Sequence, residues 1–362
     1  WTRRTPAGDG PQARGAHRSV WDSSAQRLLI VSGFGVGQAN DLWSYHPAAN
    51  IWSKPLPEQP RPSARSGHTA VWDGADAQML VFGGQPDGKA FLGDLWAYRP
   101  ALRSWLPLNE GALGPTARSD HSAIWDGRRN RMLVFGGYGP EGYFNDLWAY
   151  RPDSGWARLA TAGLAPDGRE GHSAVWDADG DQMLVYGGAR YGRTLDDLWA
   201  YRPASDTWTE LDAEGSWPVG RFRHGAAWDP LGRRMLVFGG YGGGFPGGYR
   251  DDLWAFDSAG AAWTRLPNAE VGPSARARPA VAWDASAQRM LISGGYAGGV
   301  DYLRDLWAYD SSAGAWTGLG GQSAAPSARS AHSLVWDDAR RRLLLFGGSA
   351  GSTYGELWSY SP

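Results

Sequence analysis

One apolar run recurs along the chain and limits what the chain can become. "QMLVFGG" stands at 78–84, "RMLVFGG" at 131–137, "QMLVYGG" at 182–188 and "RMLVFGG" at 234–240. Looser copies are "RLLIVSG" at 27–33, "RMLISGG" at 289–295 and "RLLLFGG" at 342–348. Seven copies at a period of 51 to 55 residues imply one structural unit used seven times, each unit packing on its neighbours. A single ordinary core would not support 362 residues; a repeat array escapes that limit.

Tryptophan follows the same period. A first set sits in "WD" (Trp21, Trp72, Trp125, Trp176, Trp228, Trp283, Trp336). A second follows an acid and Leu (Trp43, Trp96, Trp148, Trp199, Trp254, Trp307, Trp358). A third lies eight or nine residues later (Trp52, Trp105, Trp156, Trp208, Trp263, Trp316). The seventh repeat ends before its third Trp, and Trp1 stands in: it is thirteen residues ahead of Arg14, as Trp52 is ahead of Arg65. Of 22 tryptophans only Trp217 falls outside the pattern.

Each unit reads as four strands. "GHTAVWD" is a short β-rich run, strand a. "MLVFGG" is an apolar run cut off by glycines, strand b. "DLWAYRP" alternates and ends at a turn, strand c. The stretch at the third Trp is strand d. Four-stranded units repeated seven times predict an all-β, seven-bladed propeller of antiparallel blades. Its ring is closed by the N-terminal strand at Trp1, which completes the last blade and removes two open edges. Residues 1–362 are expected to form this one domain.

Composition narrows the functions. The formal net charge of −2 gives no reason to expect a nucleic-acid partner. With no cysteine, disulfides, thiolate metal sites and cysteine nucleophiles are excluded. No apolar run reaches membrane-spanning length, so no membrane insertion is expected. The sequence opens on Trp1 rather than Met, as in a trimmed or mature form without its targeting segment. The diglycines lead into another strand rather than a helix, and the only lysines are Lys54 and Lys89; a phosphate loop needs the opposite context.

The diglycine closing strand b, the aromatic-bearing strand c, the Trp of strand d and the "ARSGHTAV"-like starts of strand a together resemble the kelch repeat. The resemblance covers the whole chain. It implies the propeller fold, and it implies that the b-to-c and d-to-a loops form a ligand mouth at one face of the channel. It does not by itself imply an activity.

The repeats also separate scaffold from site. A strand-a arginine occurs in all seven (Arg14, Arg65, Arg118, Arg169, Arg221, Arg276, Arg329), as does the acid before Leu-Trp (Asp41, Asp94, Asp146, Asp197, Asp252, Asp305, Glu356). One of each per blade suggests a structural ion pair, because an Arg fork matches a carboxylate. Histidine fills one strand-a position in six repeats (His17, His68, His121, His172, His224, His332), with Pro279 in the sixth; such regularity also reads as scaffold. No cluster with metal-ligand spacing remains.

Departures from the pattern mark the candidate ligand-binding residues. Loop length varies between the diglycine and the acid, from seven residues in the first and last repeats to eleven in the fifth ("YGGGFPGGYRD"). The residue after the diglycine is aromatic in four repeats: Phe34, Tyr138, Tyr241 and Tyr296. Two residues after the conserved arginine, where Gly or Ala is usual, stand Asp120, Arg223 and Arg278, and Glu170 lies one position earlier in repeat four. These charges either meet a ligand or pair and hydrate among themselves. Tyrosines offer flat amphipathic faces and Arg offers oriented donors.

The favoured function is a binding scaffold for a carbohydrate, a peptide or a protein segment at the channel mouth. It would have no catalytic residue, no metal and no cofactor, and the chain is expected to be a monomer. The alternatives are an epimerase- or lyase-like enzyme on a sugar or small anion, or a purely structural module. Copper-oxidase chemistry of kelch-like propellers depends on a Tyr–Cys crosslink, which the lack of Cys excludes. An iron site would need Asp120, Glu141, Glu170 and Asp301 to cluster, and no compact motif joins them. An extracytoplasmic location is expected only because carbohydrate-facing propellers are often exported.

Overall fold

The computed structural model describes residues 1–35, 37–55, 60–86, 88–108, 113–212, 216–243, 248–267, 272–320 and 324–362. It contains seven four-stranded antiparallel sheets, each with its strands in the order a, b, c, d, and is a seven-bladed β-propeller. The chain divides into two compact units. One comprises Ala160–Ser330 with the two terminal residues, and holds blades 4, 5 and 6; the other comprises Thr2–Leu159 and Ala331–Ser361, and holds blades 7, 1, 2 and 3. The N-terminal strand Thr2–Arg4 pairs with Leu357–Tyr360 in the register Thr2↔Ser359, Arg3↔Trp358 and Arg4↔Leu357, so the first strand completes the last blade.

Strand b is apolar on both faces because each face meets protein. In blade 5, Met235 and Val237 of Arg234–Phe238 pack with Leu184 and Tyr186 of blade 4. The alternate residues Leu236 and Phe238 pack with Met290 and Ile292 of blade 6. The same division of faces joins blade 7 to 1, 1 to 2 and 2 to 3. Trp217, outside the repeat pattern, packs on the core between blades 4 and 5.

The repeated residues make the expected scaffold bonds. Arg221, fully buried, donates from both terminal nitrogens to Asp252 at 2.6 and 2.8 Å. The same carboxylate accepts the Trp254 indole N–H at 2.7 Å. Five other blades repeat the arrangement, with Arg–Asp distances of 2.5 to 2.7 Å. Burial opposes ionisation of Asp41, Asp94, Asp146 and Asp252, but the Arg fork and the indole outweigh it and hold these carboxyls below their ordinary pKa.

The arginine and histidine do not lie in strand a. In blade 3 the strand is Ser122–Asp126, while Arg118 and His121 precede it in a turn. The break has a local cause: the residue two after each arginine is left-handed in every blade, at φ +50° to +65°. The diglycine is used on both sides. In blade 2 the Gly83 carbonyl accepts from Arg65 of its own blade at 3.0 Å, and the Gly84 N–H donates to the Arg118 carbonyl of blade 3 at 2.8 Å. A Cβ on Gly84 would stand 2.7 Å from the Ser66 carbonyl oxygen, so the close approach requires glycine.

The histidines join blades. His17 Nε2 meets Ser333 Oγ at 2.8 Å, His121 Nε2 meets Thr69 Oγ1 at 2.8 Å, and His224 Nε2 meets Ser173 Oγ at 2.7 Å. In the sixth repeat Pro279 takes the histidine position, and strand a of blade 5 opens on Gly225, which has no hydroxyl. A missing hydroxyl does not by itself exclude histidine, since His68 and His332 follow strands that open on Arg18 and Ala280.

A second repeated set was overlooked in the sequence. The Asp of each "WD" is fully buried. It bonds to the residue five positions on: Arg27, Gln78, Arg131, Gln182, Arg234, Arg289 or Arg342. The signal was present seven times as "WD" followed by Arg or Gln.

Candidate functional site

In the unit of blades 4 to 6, the departures from the repeat gather around one cavity. The residue after each conserved arginine bridges to the residue after the diglycine of its own blade. Phe222 thereby pairs with Tyr241, Ala277 with Tyr296, and Glu170 with Ala189. Each b-to-c loop then folds back as a small hairpin, Tyr241↔Tyr249 in blade 5 and Tyr296↔Tyr302 in blade 6. Residues 244–247 of the long blade 5 loop lie outside the described residues.

The rings touch in sequence around the opening. Phe222 meets Tyr241 edge-on at 5.8 Å between centroids, Tyr241 meets Tyr249 at 5.1 Å, Tyr249 meets Tyr296 at 5.6 Å and Tyr296 meets Tyr302 at 5.1 Å. Burial raises the Tyr249 phenol pKa first, and the neighbouring phenols of Tyr296 and Tyr241 raise it further, so Tyr249 is a neutral donor near neutral pH.

Arg223 and Arg278 complete the wall. Both are exposed, and both occupy the left-handed turn position, at φ +54° and +53°. The Arg223 N–H donates to the Gly171 carbonyl at 2.8 Å, and the Arg278 N–H donates to the Arg223 carbonyl at 2.7 Å. This backbone relay sets the two arginines side by side on adjacent blades. The Arg223 guanidinium lies 5.2 Å from the Phe222 ring and has no carboxylate partner among the described residues. The cavity measures about 360 Å³, within the range of small-ligand sites, and no described carboxylate lines it.

Four of the eight predicted site residues therefore meet here: Arg223, Arg278, Tyr241 and Tyr296. Glu170 belongs to the same unit but does not line the cavity; it sits half-buried opposite Ala189. The other three lie in the second unit. Asp120 occupies the left-handed turn position of blade 3, exposed, its N–H on the Gly67 carbonyl at 2.9 Å. Tyr138 pairs across its hairpin with Tyr143, the rings 5.0 Å apart, and touches Phe91 at 5.6 Å. Phe34, at the edge of blade 1, faces Gly15.

Sequence reasoning missed Tyr249, Tyr302 and Phe222. Tyr143, Tyr249 and Tyr302 each stand three residues before the conserved acid, a position fixed by counting back from the acid and hidden by counting forward from the diglycine. Among the described residues no group of three or more His, Asp or Glu could hold a metal ion. Among them, too, no helix is long and apolar enough to cross a membrane.

The blade geometry, with its buried Arg–Asp–Trp unit and inter-blade diglycine, defines a kelch-type propeller. The family model described as the KLHDC2/KLHL20/DRC7 Kelch-repeats domain matches residues 35–240 and 208–362. The chain belongs to the kelch-repeat family. It is 30% identical to Host cell factor 2 of Homo sapiens over 257 residues, which is 65% of this chain and 31% of that protein. It is 29% identical to Kelch domain-containing protein 3 of Rattus norvegicus over 217 residues, 56% of this chain and 55% of that protein. It is 28% identical to Multiple epidermal growth factor-like domains protein 8 of Rattus norvegicus over 301 residues, 65% of this chain and 11% of that protein. The chain thus spans about half or less of these relatives.

Proposed function

We propose that this propeller is a binding module whose loops in blades 5 and 6 hold a peptide or carbohydrate segment bearing an anionic group. The observation that carries this reading is the cavity of about 360 Å³ in which Arg223 and Arg278 stand beside a run of touching aromatic rings. The rings take the flat apolar part of a ligand, and the guanidinium forks take its acidic group. An acid–base enzyme is the weaker reading, because it needs a carboxylate at the reacting atoms and no described carboxylate lines this cavity.

A thermal-shift screen tests the proposal with acidic peptides, neutral peptides, and neutral and acidic oligosaccharides. A ligand at a hundred times its Kd stabilises by about 2.7 kcal/mol. The expected result is a shift with an acidic ligand that disappears in Arg223→Ala and Arg278→Ala. A shift that survives both substitutions places the ligand elsewhere and overturns the assignment.

A further inference from the structure

Blade 1 carries a second cavity, of about 600 Å³, between its d-to-a loops and its b-to-c loop. Repeat comparison shows what is unusual there. The residue before the proline that precedes each conserved arginine is small in five blades: Gly10, Gly114, Ala165, Gly272 and Ala325. In blade 4 it is Trp217, a core residue, and at the end of blade 1 it is Arg61. Arg61 lines the cavity half-buried, and its Nε is buried with no hydrogen-bond partner among the described residues.

The other surplus cation in this cavity is Lys54, one of only two lysines in the chain. Its ammonium lies 5.4 Å from the Trp43 ring centroid and pairs with no carboxylate among the described residues. The cavity also holds Arg14 and Asp41, but these satisfy each other, and Asp41 accepts the Trp43 indole as well. Asp9 is exposed on the rim. Among the described residues neither cation makes an ion pair, although Asp41 feels the charge of Lys54 across the cavity; one cation is a planar fork and the other a point charge. The terminal nitrogens of Arg61 make no hydrogen bond among the described residues and are not buried, so they are the donors that an oxyanion in the cavity can reach.

We propose that this cavity binds a phosphate-type oxyanion between Arg61 and Lys54. Its charge is opposite to that of the two cations, and its several acceptor oxygens suit a fork and an ammonium together. The anion is either free in solution or carried on a phosphorylated peptide; the recognition chemistry is the same.

Calorimetric titration of the full chain at low ionic strength, with inorganic phosphate and with a phosphoserine peptide, tests the site. Both arms should show binding that weakens with salt. Arg61→Gly restores the residue usual at that position, and Lys54→Gln alters an exposed side chain. Each should weaken binding about tenfold or more, the loss of one charge-assisted bond. Arg278→Ala should leave it unchanged, which separates this site from the one in blades 5 and 6. Tighter binding of the peptide than of phosphate identifies a macromolecular source; equal binding identifies the free ion. No binding in either arm, or binding that survives both substitutions, overturns the proposal.

Discussion

Five residues accept a backbone conformation that suits glycine: Ala16, Asp120, Arg223, Arg278 and Ala331 are left-handed at the turn ahead of strand a, where blades 2 and 4 use Gly67 and Gly171. An L-residue there costs about 1–2 kcal/mol. Alanine keeps the side chain small, but an exposed arginine bears the same strain. Strain kept at a cavity wall suggests that the side chain is needed there. The test compares two replacements. Arg223→Gly and Arg278→Gly should be about 0.5–1 kcal/mol more stable than the matching Ala variants, relief of strain exceeding the added entropy of the unfolded chain. Both replacements should abolish ligand binding. A Gly variant less stable than its Ala counterpart in urea unfolding would show that the turn is not strained. Arg221→Ala lies one turn away and should behave differently. It strands the Asp252 carboxylate and the Gly239 carbonyl, and a broken buried pair costs about 3–5 kcal/mol.

At the scale of the element, regular spacing was legible and variable spacing was not. Strands a to d, the Arg–acid pair and the closing strand at Thr2–Arg4 all follow from residues at constant separations. The fold places Tyr241 and Tyr296 beside Arg223 and Arg278. Their hairpin partners Tyr249 and Tyr302 were hidden, because loop length shifts them relative to the diglycine. Asp120 and Glu170 were grouped with the arginines because they break the repeat in the same short segment, and a repeat position does not say which neighbouring rings a turn faces. The sixth repeat shows the same limit. Pro279 reads as drift until the packing of blades 5 and 6 places Gly225 against it. A Cβ on Gly225 would meet Val281 Cγ2 at 2.4 Å and Pro279 Cγ at 3.1 Å. Gly225→Ala should therefore cost about 1–3 kcal/mol by overpacking. Adding Val281→Ala should recover part of that loss, because it removes the nearer clash. A double-mutant cycle with no coupling would mean that the seam adjusts by moving the strands apart.

For the whole molecule, buried neutral histidines tie acid sensitivity to assembly of the blades. His17 is almost fully buried at the seam of blades 7 and 1, on Ser333 Oγ. Burial first, then the charges of Arg14, Arg18 and His332, push its pKa down to about 3. His68 is lowered well below its ordinary value for the same leading reason. His172 and His224 are lowered to about 3 as well, though they are the more exposed of the set. In the unfolded chain these imidazoles titrate near 6.5. Between about pH 6.5 and 3 the unfolded state binds protons that the folded state refuses. The stability they contribute is complete above about pH 6.5 and is lost as the pH falls. Each fully depressed histidine adds a slope of about 1.4 kcal/mol per pH unit in that window. The Arg-held carboxyls extend the loss below about pH 4, because their folded pKa values are also depressed. His17→Gln should destabilise the protein near neutrality and flatten the acid limb by up to one proton, as read from urea midpoints between pH 4 and 7. An unchanged slope would mean that His17 is protonated in the folded seam, with its charge offset by a neighbour.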